Sequence, residues 1–270
     1  MKTFDAFTLK IIAIVGMAMQ HTAIALGEVI PTWLHFPLQF GGGFTFPIMA
    51  FFLVEGYRHT SNLKGYMWRL GIFGLISQIP FIMAFSSAAV SLFSFNIMFT
   101  LLIGLLLLVM YDKMRVRWLF WILFVLIAIF TLFFDWPVIG PVVILLYHAM
   151  KDDKLRRIIA PLVASTGMLA VGVVIGLILV VAAAITGDAS FLDILDSYAS
   201  QGTDPLAEMA WFFFPLGSLT SILLLLRFNG ERGRRIKYLF YAFYPGHLLV
   251  LGLIALALGL SDFSTIWPFA

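Results

Sequence analysis

The chain of 270 residues contains no cysteine, which removes disulfides, thiolate metal ligation and a cysteine nucleophile together. Charge is also scarce. Asp, Glu, Lys and Arg supply 11% of the residues and hydrophobic side chains 62%, whereas a soluble domain carries about 25% charged residues. The short alternating strands of a membrane barrel are missing, as are duplicated halves and low-complexity tracts, and the longest loop is at about 187–205. Long continuous apolar runs remain, and they define an all-α, polytopic integral membrane protein. Lys2 and Lys10 beside an Ala23-x-Ala25 triplet resemble a cleavable leader, but the apolar run continues past the triplet, so an uncleaved first span is expected.

The apolar runs predict nine transmembrane helices, at about 9–30, 44–57, 66–87, 92–111, 118–134, 137–149, 158–186, 206–226 and 238–260. The second and sixth are short for a span of about 20 residues, so tilting, partial re-entry or continuation into a neighbour is expected there. All 17 Lys and Arg fall at the N-terminus or within 58–69, 113–117, 151–157 and 227–237. These are alternate loops. The positive-inside rule therefore places the N-terminus in the cytoplasm and the C-terminus outside, and explains the basic pI without nucleic acid.

Polar residues inside such spans must find partners or line a cavity. His21 stands about halfway along the first run, preceded by Gln20, and shares a helical stripe with Lys10, Ile14, Met17 and Glu28. Ser77 and Gln78 precede Pro80 in the third run, Asn96 and Thr100 are one turn apart in the fourth, and Tyr241, Tyr244 and His247 follow at three-residue spacing in the last. His21 and His247 sit at similar depth, so a polar cavity is expected between them. A neutral imidazole is the side chain suited to general-base chemistry near neutral pH. Each of these residues also fits an interhelical hydrogen bond or aromatic packing, and Glu55, Arg58 and Arg69 fit ion pairing or snorkelling at a membrane face.

The segments Gly42-Gly43-Phe44-Thr45-Phe46-Pro47-Ile48 and Phe51-Phe52-Leu53-Val54-Glu55-Gly56-Tyr57-Arg58-His59-Thr60, followed by Tyr66 and Arg69-Leu70, resemble the TraX-type membrane acetyltransferases. Ser77-Gln78-Ile79-Pro80-Phe81, Asn96-Ile97-Met98-Phe99-Thr100 with Gly104, and Tyr241-Ala242-Phe243-Tyr244-Pro245-Gly246-His247-Leu248 continue the likeness from about residue 9 to 250. His21, eleven residues after Lys10, is also similar to the first-span histidine of the wider membrane acyltransferases. Two positions depart from the family pattern: Gln20 replaces an Asp before the histidine, and Gly43 replaces an Arg before the Phe-Pro segment.

The resemblance implies a single TraX-like domain over 1–270 in the cytoplasmic (inner) membrane, moving an acetyl or other acyl group from acetyl-CoA to an amine or hydroxyl. The family precedent for the acceptor is a pilin N-terminus; a glycan or lipid fits as well. It implies His21 as general base or proton relay, His247 with Tyr244 shaping the acyl site, and Asn96 and Gln78 positioning donor or acceptor. Donor-side candidates are Glu55, Arg58, Arg69 and Arg235, the last within a basic cluster that topology also explains. No metal and no nucleic-acid partner are expected; membrane lipid is. Two other readings fit the residues, a proton-coupled small-molecule transporter and a catalytically inactive assembly or scaffold protein of the same fold.

Overall fold

The computed structural model describes residues 3–85, 94–186, 209–210, 212–234 and 237–261. Among the described residues the chain is helical throughout, with isolated bridges in place of strands. In chain order the helices are α1 (Ala6–Ala25), α2 (Thr32–Gly43), α3 (Thr45–His59), α4 (Leu63–Phe85), α5 (Ile97–Lys113), α6 (Arg117–Phe130), α7 (Ile139–Ala149), α8 (Asp153–Thr186), α9 (Phe213–Leu226) and α10 (Lys237–Ala257). A 3-10 turn, Thr131–Phe133, joins α6 towards α7.

Helix α3 is the axis of the bundle. Its Phe46, Ile48, Ala50, Phe51, Phe52, Leu53 and Val54 are all buried, as a helix apolar on every face requires. Around it the packing closes a ring: α1 touches α2, α2 touches α9, and the sequence of neighbours runs through α8, α7, α5, α4 and α10 back to α1. Helix α6 lies outside the ring against α5 and α7. It presents Trp118, Trp121, Ile122, Val125, Leu126 and Ile129 outward, a lipid-facing surface.

The expected second span, 44–57, is longer in the structure. Thr32–His59 forms one apolar segment of 28 residues, in which the helical backbone turns only at Phe44 (φ −81°, ψ −8°). The stretch before it reads as a loop because Pro37 and the triplet Gly41-Gly42-Gly43 disfavour a helix in water. Here those glycines are the contact surface. A Cβ on Gly16 of α1 would strike the Gly41 carbonyl, one on Gly43 the Phe214 carbonyl, and one on Gly217 of α9 the Phe40 carbonyl. Small residues permit such backbone approach between helices in a bilayer. An Arg at position 43 has no room.

Five segments are long and apolar enough to cross a bilayer: Ala6–Ala25, Thr32–His59, Leu63–Phe85, Asp153–Ile178 and Tyr238–Ala257. Arg117–Phe133, Ile139–Ala149 and Phe213–Leu226 are apolar but shorter. The expected fourth span begins late, at Ile97, with Asn96 as its cap.

The basic helix ends meet at one end of the bundle and are tied together there. Arg156 of α8 bonds Glu55 of α3 at 2.9 Å and Asp153 at 2.6 Å. Arg58 donates to the carbonyl oxygens of Tyr147 (3.3 Å) and His148 (3.0 Å) at the end of α7, and Arg157 donates to the Leu225 carbonyl of α9 at 2.9 Å. Asp112 of α5 accepts from Tyr57 (2.7 Å) and pairs with His148 (2.8 Å). Arginine forks here satisfy carbonyls that helix C-termini leave without partners.

Gly43→Arg is expected to lose stability rather than restore a missing function, by about 1–3 kcal/mol or more from overpacking. Gly176→Ala, where an added Cβ meets nothing within 4 Å, should leave stability unchanged or slightly raised. Thermal unfolding of both purified variants in detergent checks the contrast.

Candidate functional site

The two histidines meet. His21 Nδ1 lies 2.7 Å from His247 Nε2, and the rings are nearly parallel at 10° with centroids 5.0 Å apart. His247 Nδ1 lies 2.8 Å from the carbonyl of Phe243, one turn back in α10. A carbonyl only accepts, so His247 carries its proton on Nδ1. In the neutral pair its Nε2 is then the acceptor, and His21 Nδ1–H is the donor. This leaves the lone pair on His21 Nε2. Phe85 packs edge-on against His21 at 5.0 Å and Phe243 stacks on His247 at 4.8 Å, fixing both ring planes.

Gln20 takes no part in this pair. Its side chain lies over Gly42 of α2, about 100° around α1 from His21. The orienting partner for His21 is an imidazole from α10, where the family pattern suggests a neighbouring carboxylate.

A groove of about 510 Å³ opens beside the pair between α1 and α10, walled by Ala18, Thr22, Phe243, Gly246, His247, Val250 and Leu251. Nothing lies within 4 Å of a Cβ placed on Gly246, and Val250 is exposed. The groove is therefore apolar and faces outward, towards lipid.

Tyr244 is also at the pair, with ring centroids 6.2 Å from His21 and 5.6 Å from His247. The residue is 1% exposed, and its hydroxyl makes no hydrogen bond. The amide of Ile97, first residue of α5, and the carboxyl of Asp135 act on that hydroxyl electrostatically. Sequence reading places Asp135 among outer-loop acids; nothing local signals that the fold carries it to Tyr244.

Asn96 and Gln78 are held in hydrogen bonds between α4 and the start of α5. Asn96 Nδ2 donates to the Gly74 carbonyl and to Gln78 Oε1, both at 2.8 Å, while its Oδ1 accepts from the Met98 amide at 3.1 Å. Gln78 Nε2 donates to the Ser94 carbonyl at 2.6 Å. These two residues join α4 to the start of α5. Of the donor-side candidates, Glu55 and Arg58 belong to the tied basic end, and Arg69 lies over the ring of Tyr66 at 5.8 Å with its Nε buried and without a hydrogen bond. Arg235 lies outside the described residues. Lys10 sits over the rings of Phe52 (5.0 Å) and Phe240 (5.6 Å), three helical turns, about 16 Å, from His21.

A lipid-embedded helical bundle with a paired imidazole near its core defines the class, a polytopic membrane protein with a buried histidine pair. The sequence profile of the TraX protein family matches residues 6–255, and the chain belongs to that family. It is similar to the probable fimbrial assembly protein FimC, serogroup H1, of Dichelobacter nodosus, with 31% identity over 262 residues, 92% of this chain and 94% of the relative. No solved structure matches the chain significantly.

The tautomers are directly observable. Nitrogen NMR of the histidine-labelled protein at neutral pH should find His247 protonated at Nδ1, with a hydrogen-bonded Nδ1–H on His21 that shifts in His247→Ala. A proton on His247 Nε2 with Nδ1 bare would contradict the assignment.

Proposed function

We propose that the chain is an acyltransferase of the cytoplasmic membrane that acts in fimbrial or pilus assembly, moving an acetyl group from acetyl-CoA to an amine or hydroxyl of a membrane-associated acceptor. The observation that carries this reading is the His21 lone pair. It belongs to a buried imidazole whose other nitrogen is committed to His247, the arrangement needed to take a proton from an attacking nucleophile and return it to a leaving thiolate. Family membership supports acetyl transfer, and the relative's name supports fimbrial assembly. The gathering of basic helix ends supports nine passes with the N-terminus in the cytoplasm, so that the donor enters from that side.

A second reading is an assembly protein without turnover. Gln20 and Gly43 favour it, because the carboxylate and the cation of the family pattern are both replaced.

Transfer of label from radioactive acetyl-CoA in membranes, compared between the native chain and His21→Ala at matched expression, tests the proposal. The variant is expected to transfer label about 10²–10⁴-fold more slowly, the range of a lost general base, with mass spectrometry identifying the labelled acceptor. Absence of transfer by the native chain, folded and with fimbrial subunits present, sinks the enzymatic reading and leaves the assembly role.

A further inference from the structure

We infer that the hydroxyl of Tyr244 and the carboxyl of Asp135, gathered at the N-terminus of α5, form the oxyanion pocket of the site and take a thioester carbonyl oxygen as their ligand. The inference rests on the acyl-transfer reading above and assigns a residue, Asp135, that motif and spacing do not single out.

The position of Asp135 is over-determined. Its amide donates to the Phe95 carbonyl at 2.9 Å, and its carbonyl accepts from the Thr100 hydroxyl at 2.5 Å, so the backbone on both sides of the carboxyl is bound to the start of α5. The next residues are strained to hold that course. Trp136 and Val138 have φ of +60° and +59°, left-handed values that a bulky and a β-branched side chain resist, at a cost of about 1–3 kcal/mol each. Trp136 is clamped by stacking on Phe46 of α3 at 4.1 Å, and the Thr131 hydroxyl accepts from the Val138 amide at 2.9 Å. A connection needing only to join α6 to α7 has no use for this strain.

Three features then converge. The N-terminus of α5 presents partial positive charge. The Tyr244 hydroxyl is buried beside it without a partner, although a buried hydroxyl left unpaired is costly. Burial pushes the Asp135 carboxyl up to about 7, with the Ile97 amide the opposing influence. A carboxylic acid kept neutral by an apolar site donates a hydrogen bond. Below about pH 7 the Tyr244 O–H and the protonated Asp135 carboxyl are thus two donors at one helix start. Gln78 and Asn96, the other amides near α5, are already bound to each other and to backbone carbonyls.

The step balances. The acceptor nitrogen or oxygen attacks the thioester carbon, the C=O π pair moves onto oxygen between Tyr244 and Asp135, and the acceptor's proton passes to His21 Nε2. The oxyanion then reforms C=O, the C–S bond breaks, and the thiolate leaves with the proton from His21.

Transfer from labelled acetyl-CoA to the acceptor labelled by the native chain, measured in membranes across about pH 5.5–9, tests the pocket. Tyr244→Phe should lower kcat about 10²-fold, as loss of one oxyanion donor does, with KM for acetyl-CoA changed by less than about threefold. In the native chain the rate should fall as pH rises through about 7, because only the protonated acid donates; the rise at lower pH belongs to the histidine pair. Among the described residues the titratable side chains on this assembly are Tyr244, His21 and His247, and α5 meets Asp135 through the Ile97 amide, the Phe95 carbonyl and the Thr100 hydroxyl. Asp135→Asn, whose amide donates at any pH, should run about tenfold slower at low pH and lose the alkaline fall. Retention of that fall, or turnover of Tyr244→Phe within threefold of native, overturns the pocket while acyl transfer stands. Absence of transfer by the native chain overturns both. If Asp135→Asn does not fold, Tyr244→Phe decides alone.

Discussion

Inside a bilayer no water is available to satisfy a polar group, so each one must be met by the protein. That constraint organises this fold from end to end. At one end arginines from α3 and α8 reach the terminal carbonyls of α7 and α9. At the other, the start of α5 is closed by Asn96, by the Phe95 bridge to Phe134 and by the Asp135 connection. Between them the imidazoles of α1 and α10 satisfy each other, and the Phe243 carbonyl completes the set.

Close approach of the helices makes these pairings possible. Gly16, Gly41, Gly43 and Gly217 remove the side chains that would hold α1, α2 and α9 apart, and the buried face of α3 fills the space they enclose. The Gly43 departure from the family pattern therefore has a packing consequence as well as a chemical one. It exchanges a cation for direct backbone contact between α2 and α9.

Much of this was legible in the residues. Composition gave the class, and the alternation of basic stretches matches the end of the bundle at which those helix termini meet. His21 and His247, separated by 226 residues, stand at similar depth in their spans, which predicts a shared polar cavity. The helix α2 was not legible, because a glycine triplet and a proline read as a loop in terms of water-based propensity and reveal nothing of the helices that press against them. The course of the chain at Asp135 was hidden for a related reason. Its meaning depends on two left-handed residues and on hydrogen bonds to a segment about forty positions earlier, and neither leaves a local pattern. Asn96 and Gln78, expected to position donor or acceptor or else to join spans, bond each other and backbone carbonyls across α4 and α5.

The hydrogen bond from His247 to the Phe243 carbonyl also sets where a proton can go. Charge taken up at His21 Nε2 can be shared with His247 through the bond between the rings, since His247 Nε2 accepts. Beyond His247 the path ends, because a peptide oxygen stabilises the charge without carrying it onward. The pair is a cul-de-sac for protons, in which a charge gained at His21 Nε2 leaves again through the same atom.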